Sequence, residues 1–134
     1  MGNLALFSNA VKRDVTVTNR HEAFAGSEFK DFEFAVDVQI PTASEQKKIE
    51  SKFYRNGRNI LDNEASAEVM EAKFQAAVVG WRGIDSQDGS PVPCDSEMKA
   101  WLWEHRQDFC GRILRAMTIE RERIEAGVAA GAKN

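Results

Sequence analysis

The sequence predicts an α+β fold, a small N-terminal antiparallel β-hairpin unit followed by about four helices, and mostly α. Three observations predict it. The stretch "FEFAVDVQI" alternates apolar and polar side chains with a period of two, as a half-buried strand does. The stretch "DNEASAEVMEAKFQAAVVG" repeats large apolar residues at four-residue spacing, the stripe of a core helix. Between residues 80 and 94, glycines, prolines and an Asp-Gly pair break the helical pattern, which makes a stiff connection. At 134 residues, with 43% hydrophobic and 29% charged side chains, the chain has the size and composition of a single globular domain. It divides into a β-rich part over 1–41, a helical part over 42–125 that contains the loop at 80–94, and a flexible tail over 126–134.

In order along the chain, "DVTVTN" sets Val15 and Val17 against Thr16 and Thr18, a first strand. The stronger strand signal follows, with Phe32, Phe34, Val36, Val38 and Ile40 on one face and Glu33, Ala35, Asp37 and Gln39 on the other. Gly26 and Ser27 lie between the two strands, so they can pair antiparallel. "AFAGSEF" is a turn or a short third strand. Pro41 ends the strand, and Thr42 with Glu45 three residues on makes a capping-box pattern. A helix is expected from about Ala43 to Tyr54, with Ile49 and Phe53 inward and "NGRN" as its stop. In the second helix Met70, Phe74 and Val78 line the core side, with Val69, Ala77 and Trp81 beside them, and Gly80 stands where the C-terminal cap belongs. Asp95 or Ser96 caps a short third helix carrying Met98, Trp101 and Leu102. The fourth begins near Asp108, shows Phe109, Ile113, Met117, Glu120 and Ile124 on one face, and is expected to fray in "EAGVAAGAKN".

Charge excludes some functions. The net charge is −3, from 18 basic and 21 acidic residues, and acidic residues equal or outnumber basic ones within 1–41, 42–80 and 81–134 alike. No cluster of Lys and Arg offers the electrostatic footprint that nucleic acid requires. The opening "MGNLALFSNAVKRD" has no basic residue ahead of its apolar patch, so it is not a secretory signal, and Leu6 stands where a myristoylation site needs Ser or Thr. No apolar run approaches the length of a membrane span.

The same holds for catalysis and metals. Cys94 and Cys110 are spaced neither as a metal knuckle nor as a redox pair, and read as reduced thiols packing as small apolar residues. His21 and His105 stand in no ligand spacing. An EF-hand counted from Asp85 would need its last Glu at position twelve, but Glu97 is the thirteenth. "DSQDG" is therefore read as an Asp-Gly turn between short extended pieces. No GxSxG, GxGxxG or P-loop is present. We expect no catalytic residues, no metal and no cofactor. Trp101 and Trp103 are two residues apart on one helix, roughly 200° around its axis. One packs inward while the other is partly exposed, which makes the pair the candidate partner-binding residues.

The connection itself carries a resemblance. "VVGWRGI", an acidic "DSQDG", then "PVP", a capping residue and a short helix leading to a longer one resemble the tail assembly chaperones of long-tailed (siphophage-type) bacteriophages and prophages. The matching positions are Gly80, Trp81, Gly83, Ile84, Asp85, Asp88, Gly89, Pro91, Val92 and Pro93. The extended "FEFAVDVQIP" with "TASEQ" opening a helix fits the same layout, and the likeness covers about residues 32–117. Cys94 departs from it, where an aromatic residue is usual, and "SEMKAW" replaces the commoner continuation. As physics, the motif reads as a clamp: Trp81 supplies a large apolar face, the glycines allow close approach, and the prolines freeze the return path. It is expected to fix the second helix against the third and fourth, a structural role and not an active site.

The resemblance implies a non-enzymatic assembly factor in the host bacterial cytoplasm, absent from the mature virion. It implies that the chain binds the tape measure protein, keeps it soluble and promotes tail tube assembly around it. Such families also make a longer form by programmed −1 frameshifting, whose added domain recruits the tail tube protein. Ala132, Lys133 and Asn134 form the candidate frameshift region, since one of the codon sets that can encode them, GCA-AAA-AAC, contains the slippery heptamer A-AAA-AAC. Neither nucleic acid nor a membrane is expected as a partner, and homo-oligomerisation is left open. Two alternatives stand beside this reading: a prophage-encoded regulatory or toxin-neutralising binding module, and a structural tail or head–tail subunit. Gene neighbourhood separates the three.

Overall fold

The computed structural model of the protein describes residues 14–52 and 63–132. Its architecture is α+β. Strand β1 (Asp14–Thr18) pairs antiparallel with β2 (Ala35–Gln39), Val17 opposite Val36 and Thr16 opposite Asp37. Two short 3-10 turns, Glu22–Phe24 and Glu28–Asp31, join them, so "AFAGSEF" is turn and not strand. Each turn is capped by a side chain. His21 Nδ1 accepts from the Ala23 amide (3.1 Å) and Ser27 Oγ from the Phe29 amide (3.3 Å), which satisfies amides that the short turns leave over.

A third strand changes the expected layout. Helix α2 (Asn63–Ala77) stops before Val78, and Val78–Arg82 continues as β3, antiparallel to β2 in the order β1-β2-β3. Gly80 is thus not a helix cap; it lies in a strand opposite Asp37. The four-residue spacing of Met70, Phe74 and Val78 carried the helix reading through Val79. The free edge of β2 overrides it, because its amides and carbonyls need partners and the β-branched Val78 and Val79 suit a strand. A register shift between Asp37 and Val38 accommodates the change. The extra residue, Val79, bulges out 61% exposed, while Val78 and Trp81 both face the side of Val38 and Val36.

Helix α1 (Ala43–Ser51) is capped as expected, Thr42 Oγ1 accepting from the Glu45 amide at 3.2 Å. It ends three residues short of Tyr54. Phe53 and the "NGRN" stop lie outside the described residues, and Ile49 is only half-buried. Helix α3 (Ser96–His105) is capped by Asp95, whose carboxylate accepts from the Met98 amide at 2.8 Å. Helix α4 spans Gln107–Ala132 and does not fray at 126. Alanines at 126, 129, 130 and 132 favour the helix enough to offset Gly127 and Gly131.

The core lies between the inner sheet face and α4. Val17, Val36, Val38 and Val78 meet Phe109, Cys110, Ile113, Ala116 and Met117, with Phe74 and Ala77 from α2 closing the side. Phe24, fully buried, centres an aromatic cluster with Phe34 (5.0 Å between ring centroids) and Phe109 (5.8 Å), and Phe29 lies 5.1 Å from Phe109. Two positions depart from the expected core. Phe32 is 63% exposed, because it caps the 3-10 turn Glu28–Asp31 instead of joining the strand alternation; Met70 is 42% exposed on α2.

Candidate functional site

The connection from β3 to α3 is built as a small closed structure. It starts at Gly83, with φ +80°, where an added Cβ would sit 2.3 Å from the Glu33 carbonyl oxygen. Only glycine combines that dihedral with so close an approach. Beyond it the chain makes a miniature hairpin. Asp85 bridges Pro91, the Val92 amide donates to the Ile84 carbonyl at 2.9 Å, and the Ser86 amide donates to the Ser90 carbonyl at 2.9 Å. At the tip the Gly89 amide donates to the Ser86 carbonyl at 2.9 Å, and Gly89 has φ +87° in open space. Asp88 organises this tip, its carboxylate accepting from the Ser86 hydroxyl and from the Ser90 amide (2.8 Å). Those bonds stabilise the ionised form, the Ser86 hydroxyl contributing most, and hold its pKa down at about 2.

The return limb is tied back by Trp81. Its indole Nε1 donates to the Val92 carbonyl at 2.7 Å, while the half-buried ring packs against the core. Trp81 therefore fastens the hairpin to β3 and the sheet, where the sequence reading attached it to the second helix. The polar α2–α3 attachment belongs to residues the sequence did not single out. Lys99 Nζ donates to the Gln75 (2.7 Å) and Val78 (3.0 Å) carbonyls, and Gln75 Nε2 donates to the Ser96 carbonyl at 3.0 Å. A cation on the open carbonyls of a helix C-terminus is favourable twice, through hydrogen bonds and through the helix dipole. Nothing in periodicity marks Lys99, since its partners are backbone atoms more than twenty residues away.

The structure thus gathers the ten motif residues into one connection with two ends. Gly80, Trp81 and Gly83 set its start against β2, Asp88 and Gly89 form its tip, and Ile84, Asp85, Pro91 and Val92 form the rungs between. Pro93 is exposed beside the half-buried Cys94, whose thiol pKa is raised by burial. Gly80 shows no positive φ; its place in the strand brings an added Cβ to 3.4 Å from Asp37 Oδ2. Around Asp37 the outer sheet face is polar, with Thr16 Oγ1 donating at 2.9 Å and Arg82 Nη1 at 2.9 Å.

The two tryptophans of α3 part as their spacing requires. Trp103 turns to α2, 5.7 Å from Phe74, and Trp101 is 49% exposed. Trp101 is nonetheless held in place: its ring stacks on His105 at 4.5 Å and 22°. One face of α3, through Met98, Trp101 and Leu102, opens onto a cavity of about 570 Å³ whose other wall is the hairpin, from Ile84 to Val92. A second cavity of about 260 Å³ adjoins it across Ile84, Asp85 and Leu102 and ends at Phe29 and Phe32. Phe32 is here because the period-two alternation that assigned it to the core does not extend to it.

Of the candidate frameshift residues, Ala132 ends α4, and Lys133 and Asn134 lie outside the described residues. Among the described residues, no three of His, Cys, Asp and Glu come together to hold a metal ion, and no helix is long and apolar enough to cross a membrane. Compared with protein-family models, curated proteins and solved structures, the chain matches none.

Proposed function

We propose that the chain is a phage tail assembly chaperone, which binds the tape measure protein, keeps it soluble and promotes tail tube assembly around it. The observation that carries the reading is the ordered motif from Gly80 to Pro93, resembling that family in residue type and in place along the chain. An apolar surface beside the motif, with Trp101 and Phe32 exposed on it, is the kind of feature a holding function uses, because shielding apolar helix faces prevents their aggregation. The chain acts by binding, in the host cytoplasm, and leaves before the virion is complete. A longer frameshifted form, sharing this body, recruits the tail tube protein. Co-expression with the tape measure protein of the same phage tests the reading: the soluble fraction should rise and the two proteins should co-purify. A tape measure protein equally insoluble with and without this chain would overturn it. In the gene, codons that break the A-AAA-AAC heptamer would remove slippage at Ala132–Asn134.

A further inference from the structure

We propose that the groove between α3 and the β3–α3 hairpin binds one amphipathic helix of a partner protein, seated by its apolar stripe and flanked by Lys or Arg. The apolar part of the argument is the floor and its two ends. The two cavities form one trough across Ile84 and Leu102, with Phe32 at one end and Trp101 at the other. Along α3, Met98 to His105 spans about 10 Å, the length over which a partner helix presents side chains at i, i+3 or i+4, and i+7. The trough is pre-shaped. His105 stacks on the Trp101 ring, Gly83 pins the hairpin base against Glu33, and the Asp85–Pro91 bridge and Trp81–Val92 bond hold the hairpin wall. A site that is ordered beforehand loses less entropy on binding.

Charge selects the occupant. Asp85 and Asp88 line the hairpin wall and are exposed. The cation at the trough, Arg106, stacks 4.8 Å over Phe29 and bonds both Asp108 (3.0 Å) and Glu28. Among the residues that line the trough, two carboxylates thus stand against one guanidinium, and that guanidinium is already paired. An acidic helix would be repelled; a helix with basic flanks gains complementary contacts on the rim while its stripe is buried. For the natural source of that helix, the proposal rests on the chaperone reading, which makes it a segment of the tape measure protein.

The test uses the full chain and two labelled 18-residue peptides with one leucine stripe, the flanks lysine in one and glutamate in the other. The lysine peptide should bind at least about tenfold more tightly. Trp101→Ala and Phe32→Ser should each weaken it about tenfold, as loss of an aromatic anchor does. Asp85→Asn with Asp88→Asn should weaken it and flatten its salt dependence, and Met70→Ser, an exposed apolar position away from the trough, should leave it unchanged. Circular dichroism checks that each variant is folded. Equal binding of both peptides overturns the proposal, as does lysine-peptide binding that survives Trp101→Ala and Phe32→Ser, or that Met70→Ser weakens as much. Self-association that Trp101→Ala abolishes would also overturn it, by making a second copy the occupant. The two readings fail separately. If the Phe32→Ser/Trp101→Ala double variant still solubilises the tape measure protein, the groove proposal falls and the chaperone stands. If the wild-type chain fails to solubilise it but binds the lysine peptide through the trough, the chaperone reading falls and the groove stands.

Discussion

Gly83 and Gly89 both have positive φ, yet their surroundings separate them. At Gly83 a Cβ meets the Glu33 backbone, whereas at Gly89 it meets nothing within 4 Å. Gly89→Ala should therefore cost only the dihedral penalty, about 1–2 kcal/mol, while Gly83→Ala adds a backbone clash and should cost roughly 3 kcal/mol or more. Urea unfolding of the two variants measures the difference, and equal midpoints would show that the Glu33 contact yields freely. Asp88 gives a pH signature at the same scale. Its pKa is lowered from an ordinary 3.8 to about 2, so its contribution to the hairpin is complete above about pH 4 and is lost as pH falls toward 2. The Ser90 amide signal followed by NMR should shift over that window. Asp88→Asn should abolish the titration.

Among the elements, β3 depends on the tie that Trp81 makes. Trp81→Phe keeps most of the packing and removes the Nε1 bond to the Val92 carbonyl, which should cost about 1 kcal/mol. Trp81→Ala also removes a half-buried ring from beside Val36 and should cost roughly 2–4 kcal/mol. Both should release the hairpin first, which faster hydrogen exchange at the Val92 amide, bonded to the Ile84 carbonyl, would report. Exchange unchanged in Trp81→Ala would mean that the Asp85–Pro91 bridge alone holds the return limb. Helix α3 illustrates a different balance: its capping Asp95 was legible from residue type and position, but Lys99, which fastens it to α2, was not.

Over the whole molecule, burial assigns distinct chemistry to two otherwise similar thiols. Cys110 is fully buried between α4 and the sheet, and burial pushes its pKa up to about 12; Cys94 is half-buried at the end of the hairpin, its pKa also raised by burial but its thiol within reach of solvent. The thiolate is the reacting species. A thiol reagent at neutral pH should modify one residue in the folded protein, Cys94, and the second only on unfolding. Modification of Cys110 at the rate of Cys94 would show that α4 opens from the sheet far more readily than its packing implies.

Elements whose signal is local were legible from the chain alone. Alternation over Val36 and Val38 marks β2 whatever it packs against, and the capping residues Thr42 and Asp95 mark helix starts because they bond amides three positions on. The Asp88-Gly89 turn and the parting of Trp101 from Trp103 follow in the same way from short-range geometry. Tertiary structure decided what depends on distant partners. Val78–Arg82 became a strand because β2 had an open edge to fill, and the bulge at Val79 let Val78 and Trp81 face the core together. Phe32 left the core because it closes the second 3-10 turn, its amide donating to the Phe29 carbonyl, instead of standing in the strand alternation. The trough beside α3 is made of residues as far apart as Phe32 and Trp101. Periodicity reports which face of an element is apolar, but only packing decides whether that face is covered.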